Sequence, residues 1–147
     1  MRTRRVVAGL LVIAGVIAFV LTSCPSNRDG MSGQLATAKD ETQSAARTAA
    51  LALDIWTQHR STRNLVAVQM ADARDEIVKS YSSIATLKAD NPADLGRQGL
   101  LTHAMTDLIG TLSDANAAVR ALPGQPDPQA MRQRLVDGAD ALDRDYR

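Results

Sequence analysis

Histidine, cysteine and carboxylate side chains are the groups in this sequence that could do chemistry, and they are few and scattered. The chain has two histidines, His59 and His103, and one cysteine, Cys24. A zinc site needs three or four ligands at suitable spacing, and the sequence has neither an HExxH motif nor a second cysteine. The sequence therefore predicts no metal site. We expect His59 in a solvent-exposed turn and His103 on a helix surface.

The carboxylates fall into two groups that alternate with basic side chains. Paired carboxylates serve acid–base chemistry when burial separates their pKa values, whereas alternation with cations is typical of a solvated helix face. Their spacing does not fit a calcium loop, no Glu-x-x-His di-iron motif is present, and no hydroxyl lies in a GxSxG motif. We therefore expect no catalytic residue and no cofactor, and hence no enzyme. The two groups are Asp72, Asp75 and Glu76 with Arg74 and Lys79, and Asp137, Asp140, Asp143 and Asp145 with Arg132, Arg134 and Arg144.

The start of the chain has the three-part pattern of a secretory signal peptide. Three arginines lie among residues 2–5, and an apolar stretch covers residues 6–21. The segment Leu21-Thr22-Ser23-Cys24 then resembles the lipobox of bacterial lipoproteins, in which a leucine and two small residues precede the cysteine. The resemblance implies transfer of a diacylglyceryl group to the Cys24 sulfur and cleavage just before this cysteine.

That resemblance predicts a protein held on the outer, extracytoplasmic face of the cell membrane. Two acyl chains anchor a protein stably, since each buried CH₂ contributes about 0.8 kcal/mol. The alternatives are an ordinary secreted protein and an uncleaved signal anchor, for which the apolar stretch is at the short limit. Thr3-Arg4-Arg5 also resembles the start of a twin-arginine signal, but the strongly apolar stretch favours the general secretory route.

The composition of the mature part limits its functions. Removal of residues 1–23 takes away three arginines, so that 14 basic residues remain against 16 acidic ones and the formal charge is −2. No basic excess is left to attract nucleic acid, and a single cysteine excludes an intrachain disulfide. Abundant Ala and Leu with few aromatic residues favour helix over sheet. The excess of Arg over Lys is typical of high-GC genomes such as those of actinobacteria.

The mature part divides into a tether and a helical domain. Residues 24–33, which include the lipidated cysteine, are rich in polar and helix-breaking residues and predict a flexible tether. From residue 34 apolar residues recur at spacings of three and four, as on one face of a helix. We therefore predict an all-α antiparallel bundle of three or four helices over residues 34–147. The stripes are Leu35, Ala38, Thr42, Ala45, Ala49, Ala52 and Trp56; Val66, Met70, Ala73, Ile77, Ser80, Ile84 and Leu87; Leu101, Met105, Leu108, Leu112, Ala115, Val119 and Leu122; and Met131, Leu135, Ala139, Leu142 and Tyr146.

The connection between the first two stripes has two interpretations. A polar patch covers residues 59–63, yet the heptad register continues across it and no Gly or Pro interrupts it. Residues 34–89 are therefore either one long helix or two helices that meet in a turn. A lone helix of that length would be poorly covered by the rest of the chain, which favours a hairpin or sharp kink near Ser61.

The later boundaries carry specific helix signals. Asn91 and Asp127 are each followed by proline, which predicts an N-cap residue and a first helical residue in both places. Asp94 would then lie near the positive end of its helix. The breakers in residues 123–126 predict the end of the third helix.

The sequence supports two hypotheses about function. The first is a non-catalytic protein-interaction or scaffold module of the cell envelope that binds a protein partner. Its candidate surface is Trp56, His59, Arg60 and Arg63, because Trp and Arg are enriched at interface hot spots. The alternative for Trp56 is core packing. The second hypothesis is a ligand-binding, sensor or carrier bundle. The alanine-rich stripes argue against a large cavity in such a bundle, because small residues let the helix axes approach closely.

Overall fold

Four α-helices and no strand make up the described part of the chain, which is residues 30–121 and 126–146 of a computed structural model. This confirms the predicted all-α bundle. The predicted signal peptide, Cys24, most of the tether and Leu122 lie outside the described residues. The helices are α1 (Met31–Thr57), α2 (Arg63–Ala85), α3 (Pro92–Val119) and α4 (Pro128–Asp145).

Each helix packs against the next one in the chain, and α4 returns to pack against α1. Helices α1 and α3 also contact each other across the centre. The start of α1 lies beside the end of α4, where Lys39 pairs with Asp143. The end of α1 lies beside the start of α4, where Asp54 pairs with Arg132. The bundle is therefore antiparallel, and residues 58–62 lie at the same end as residues 120, 121, 126 and 127. We call this the turn end.

The predicted stripes form the core. Every stripe residue within the described part of the chain is buried or lies partly buried against the core. Burial of a Leu, Ile or Met side chain contributes about 1.5–3 kcal/mol, so these stripes hold the helices together. Most core positions of α1 are alanines, which lets neighbouring helices approach closely. Trp56, Leu87 and Tyr146 are the partly buried members, near the ends of their stripes.

Helix α1 begins earlier than the sequence pattern indicated. Its first residue is Met31 and its N-cap is Gly30, which has φ 93°. Residues 31–33 are thus helical, and their assignment to the flexible tether was wrong. The physical reason is that Met31 also packs partly against the core, and this contact extends the helix by almost one turn.

The polar patch between α1 and α2 is a turn, so the hairpin interpretation is confirmed and the continuous helix is wrong. The His59 N–H donates to the Trp56 carbonyl at 2.9 Å, and the Arg60 N–H donates to the Ile55 carbonyl at 3.0 Å. Together with a left-handed conformation at His59, these two bonds form the Schellman motif that ends helices. His59 has φ 59°, a conformation that usually selects glycine. Thr62 then caps α2 by accepting from the Leu65 N–H at 3.3 Å.

The two later helix starts agree with the predicted signals. The Asn91 side chain accepts from the Asp94 N–H at 2.9 Å, and the buried Asp94 carboxylate pairs with Arg97 at 3.3 Å. Asp127 accepts from the N–H groups of Gln129 and Ala130. Each cap satisfies backbone donors that the first helical turn leaves without partners.

The length and hydropathy of a helix decide whether it could span a membrane. Within residues 30–121 and 126–146, no helix has an apolar stretch of the length required to cross a bilayer.

Candidate functional site

The four residues predicted as an interaction surface all lie at or beside the turn between α1 and α2. Trp56 is partly buried and packs against the core, as the packing alternative expected. His59, Arg60 and Arg63 are exposed. The structure therefore brings the four together in one region, with the indole on the core side and the basic side chains facing solvent.

The two arginines of this region carry uncompensated charge. Among the described residues neither Arg60 nor Arg63 forms an ion pair with a carboxylate. The nearby carboxylate of Asp54 is already engaged, since it pairs with Arg132 at 3.2 Å and accepts from the Gln58 amide at 2.8 Å. The first turn of α2 contains no acidic residue, so the positive end of the helix dipole adds to the arginines. The turn is consequently a cationic surface.

Exposed apolar side chains lie toward the same end of the bundle as this cationic surface. Of the four large hydrophobic residues exposed in the described chain, three lie near the turn: Leu51 (58% exposed), Leu65 (53%) and Val68 (55%). Sequence reasoning missed them because they lie off the core stripes. The available signal was their apolar character at positions that the helical period places toward solvent. Apolar surface rimmed by polar residues is a mark of interaction sites.

A groove between α2 and α3 adjoins Arg63 at the turn end. It has a volume of about 460 Å³, and its lining is Arg63, Asn64, Ala67, Val68, Ala71 and Arg120. Ala67 is buried, Val68 is exposed, and two arginines line the groove: Arg63 at the start of α2 and Arg120 just after the end of α3. Arg120 had no place in the predicted surface, since only the packing of α3 on α2 brings it near Arg63.

The histidines stay apart from any ligand cluster. His103 is exposed on α3, and its Nε2 lies 3.5 Å from the Asp107 carboxylate one turn along the helix. No group of three His, Cys, Asp or Glu side chains within residues 30–121 and 126–146 is placed to hold a metal ion. The predicted positions of His59 in a turn and His103 on a helix surface are both confirmed.

Two carboxylates of α4, Asp140 and Asp143, connect helices, whereas those of α2 face solvent. Asp72, Asp75 and Glu76 are exposed, as predicted. Asp143, in contrast, accepts from Lys39 Nζ at 2.8 Å and from the buried Gln43 amide at 3.0 Å. These bonds lower the pKa of Asp143 from 3.8 to about 2, and the bond from Lys39 has the largest effect.

The same junction contains further polar bonds. Gln43 also donates to the Ala139 carbonyl at 2.9 Å, and Arg47 pairs with Asp140 at 3.2 Å. The predicted solvated face is therefore partly an interhelical junction, because the acidic side of α4 lies against the basic side of α1.

A second groove bears on the carrier hypothesis. It lies between α3 and α4 and has a volume of about 270 Å³. Its lining combines apolar residues with five polar or charged ones, His103, Asp107, Thr111, Arg134 and Asp145. Small-molecule sites have volumes of roughly 300–1,000 Å³ and are lined by apolar residues with a few convergent polar groups. This groove falls just below that range, and every buried side-chain polar atom in the described chain already has a hydrogen-bond partner.

Comparison of the chain with protein-family models, with curated proteins and with solved structures gave no significant match. The function is therefore inferred from the residues and their geometry.

Proposed function

We propose that the protein is a lipid-anchored, extracytoplasmic interaction module that binds a protein partner through its turn end and catalyses no reaction. One observation carries the proposal: unpaired arginines and exposed apolar side chains collect at the same end of the bundle. Arginine and apolar anchors are the residues that dominate binding energy at protein interfaces.

The position of this surface suits a protein anchored near its N-terminus. Helix α1 has 27 residues, and a rise of about 1.5 Å per residue makes it about 40 Å long. Its first residue follows Cys24 by a short segment, so lipid on that cysteine would hold the beginning of α1 near the membrane. With α1 upright on the membrane, the turn end would stand up to about 40 Å further out, where a partner in the envelope could reach it.

Interior packing supports interaction over carriage. The alanine positions of α1 are closely packed, with Ala46 and Ala49 fully buried. A carrier needs an internal space for its ligand, and the groove between α3 and α4 is small and lies at the surface. Three of the four large apolar residues exposed in the described chain lie toward the turn end, where a partner protein would cover them.

The anchoring part of the proposal is tested by replacing the cysteine. The full chain and its Cys24→Ala variant are expressed in a bacterium fed an alkyne-labelled palmitate analogue. We expect the natural chain to carry the label and to enter the membrane fraction, and the variant to carry no label. A matched Ser26→Ala variant should behave like the natural chain. Labelling that persists without Cys24 would refute lipid attachment at this residue.

The interaction part is tested by photo-cross-linking in intact cells. The full chain carries a benzophenone amino acid in place of Leu65 at the turn end or, as control, in place of Glu76, which is also exposed and lies further along α2. We expect a discrete adduct from position 65 that weakens when Arg60→Ala and Arg63→Ala are combined. The thermal stability of this double variant should stay nearly unchanged, because the Arg60 and Arg63 side chains are exposed and form no ion pair in the described chain. Identical adduct patterns from both positions, or an adduct indifferent to the arginines, would contradict the proposed surface.

A further inference from the structure

The groove between α2 and α3 combines small and apolar side chains with two arginines. Its lining includes Ala67 and Ala71, one turn apart on α2, whose small side chains allow another backbone to approach. Val68 also lines the groove and has more than half of its surface exposed. An amphipathic helix binds such a groove by laying apolar side chains at helical spacing into it.

Two guanidinium groups define the charge of the groove. Arg120 donates from Nε to the Asn116 side chain at 3.2 Å, a bond that orients the side chain and leaves its terminal nitrogens able to donate. Arg63 is the first residue of α2 and has no acidic neighbour in that turn. Guanidinium groups bind carboxylates by paired hydrogen bonds, so the groove selects for an acidic segment and repels a basic one.

We infer that this groove binds an acidic amphipathic helix of the partner. Its apolar residues would contact Ala67, Val68 and Ala71, and its carboxylates would pair with Arg63 and Arg120. This inference rests on the proposed function and names the chemistry of the partner. A helix is favoured over an anionic membrane surface, because the two arginines flank apolar side chains in one open groove, whereas a bilayer surface is broad and would engage exposed cations anywhere on the domain.

The experiment measures binding of defined peptides to the full chain in phosphatidylcholine nanodiscs. Three fluorescent peptides of roughly five helical turns are compared. One has leucines at helical spacing flanked by glutamates, one has the same leucines flanked by lysines, and one has the glutamates with the leucines changed to serine. In fluorescence anisotropy we expect the Leu/Glu peptide to bind at least about tenfold more tightly than either other peptide, a difference of about 1.4 kcal/mol.

Charge reversal in the groove provides the site-specific test. Arg63→Glu combined with Arg120→Glu should weaken the Leu/Glu peptide about tenfold and improve binding of the Leu/Lys peptide. Val68→Asn should weaken the Leu/Glu peptide without creating a preference for lysine. The matched control, Lys79→Glu with Lys88→Glu, makes the same change in net charge outside the groove and should leave the Leu/Glu peptide unaffected. Helical circular dichroism and melting of each variant show that it is folded.

The outcomes separate this inference from the proposed function. Equal binding of the acidic and basic peptides, or equal weakening by the control pair, would overturn the acidic-helix inference. If the position-65 adduct still forms in cells, the interaction surface survives and only the partner chemistry is wrong. Binding of the chain to phosphatidylserine nanodiscs through Arg63 and Arg120, without any peptide preference, would assign the groove to a membrane surface and likewise overturn the inference.

Discussion

His59 is a position where a side chain can be removed and the protein should become more stable. Its φ of 59° lies in the left-handed region, and the two Schellman hydrogen bonds around it hold that conformation in place. Glycine adopts this conformation without the clash between Cβ and the backbone that other residues experience. His59→Gly should therefore strengthen the end of α1.

The size of the effect follows from two opposing contributions. A left-handed conformation costs a non-glycine residue about 1–2 kcal/mol, and this cost disappears in the variant. Glycine adds about 0.5–1 kcal/mol of backbone entropy to the unfolded chain, which offsets part of the gain. The exposed imidazole forms no hydrogen bond or ion pair in the described chain, so its loss adds little. The net expectation is a gain of about 0.5–1 kcal/mol, or about 2–5 °C in melting temperature for a domain of this size.

Thermal unfolding followed by helical circular dichroism measures this change, and the second histidine supplies the matched control. His103 is exposed in the interior of α3, so His103→Gly should lower the stability by about 0.5 kcal/mol because glycine is a poor helix former. His59→Val should also lower the stability, since a β-branched residue is strongly disfavoured at positive φ. If His59→Gly destabilised the protein as much as His103→Gly, residue 59 would not be left-handed and the interpretation of this turn would be refuted.

Further changes have expected outcomes that chemical denaturation can check. Ser61→Pro should cost less than about 1 kcal/mol, because proline is common just after a Schellman motif; a loss near 3 kcal/mol would indicate a continuous helix. Gly110→Ala should stabilise α3 by about 1 kcal/mol, since a Cβ there meets nothing within 4 Å. Gly138→Ala should gain less than Gly110→Ala, because its Cβ would lie 2.8 Å from Leu108 Cδ2 and that side chain would have to shift; equal gains would contradict that contact. Asp143 has its pKa lowered to about 2, so its contribution to stability is complete above pH 4 and lost as the pH falls toward 2. The difference between the natural chain and Asp143→Asn should fade over the same interval, and a constant difference would show that the ion pair is not responsible.

The core could be predicted from the sequence because its signal is local. Leu101, Met105, Leu108 and Leu112 recur at spacings that only a helix brings to one face, and the structure buries all four. Asn91 with Pro92 likewise marks a helix start through residues adjacent in the chain. The turn at residues 58–62 carried a weaker signal. A histidine occupies the place where glycine usually ends a helix, so the polar patch indicated a break without specifying its geometry.

The candidate site could be predicted only in part, because its remaining members come from different helices. Arg60 and Arg63 are close in sequence, and their grouping was visible as a cationic patch. Arg120 joins them only because α3 packs on α2 with this register, which no local pattern specifies. The same limit applies to Asp143, whose identification as an interhelical contact requires knowing that α4 lies beside α1.

The return of α4 onto α1 has a consequence for how the bundle assembles. The bonds that close this junction, from Lys39, Gln43 and Arg47, reach residues 93–104 positions away along the chain. The other neighbouring helix pairs are joined by short connections and can form as local hairpins. Closing the larger loop costs more chain entropy, so the junction between α1 and α4 is expected to form late. Substitutions there should accelerate unfolding while leaving the folding rate nearly unchanged, and the amide of Gln43 would stay hydrated until the last helix arrives.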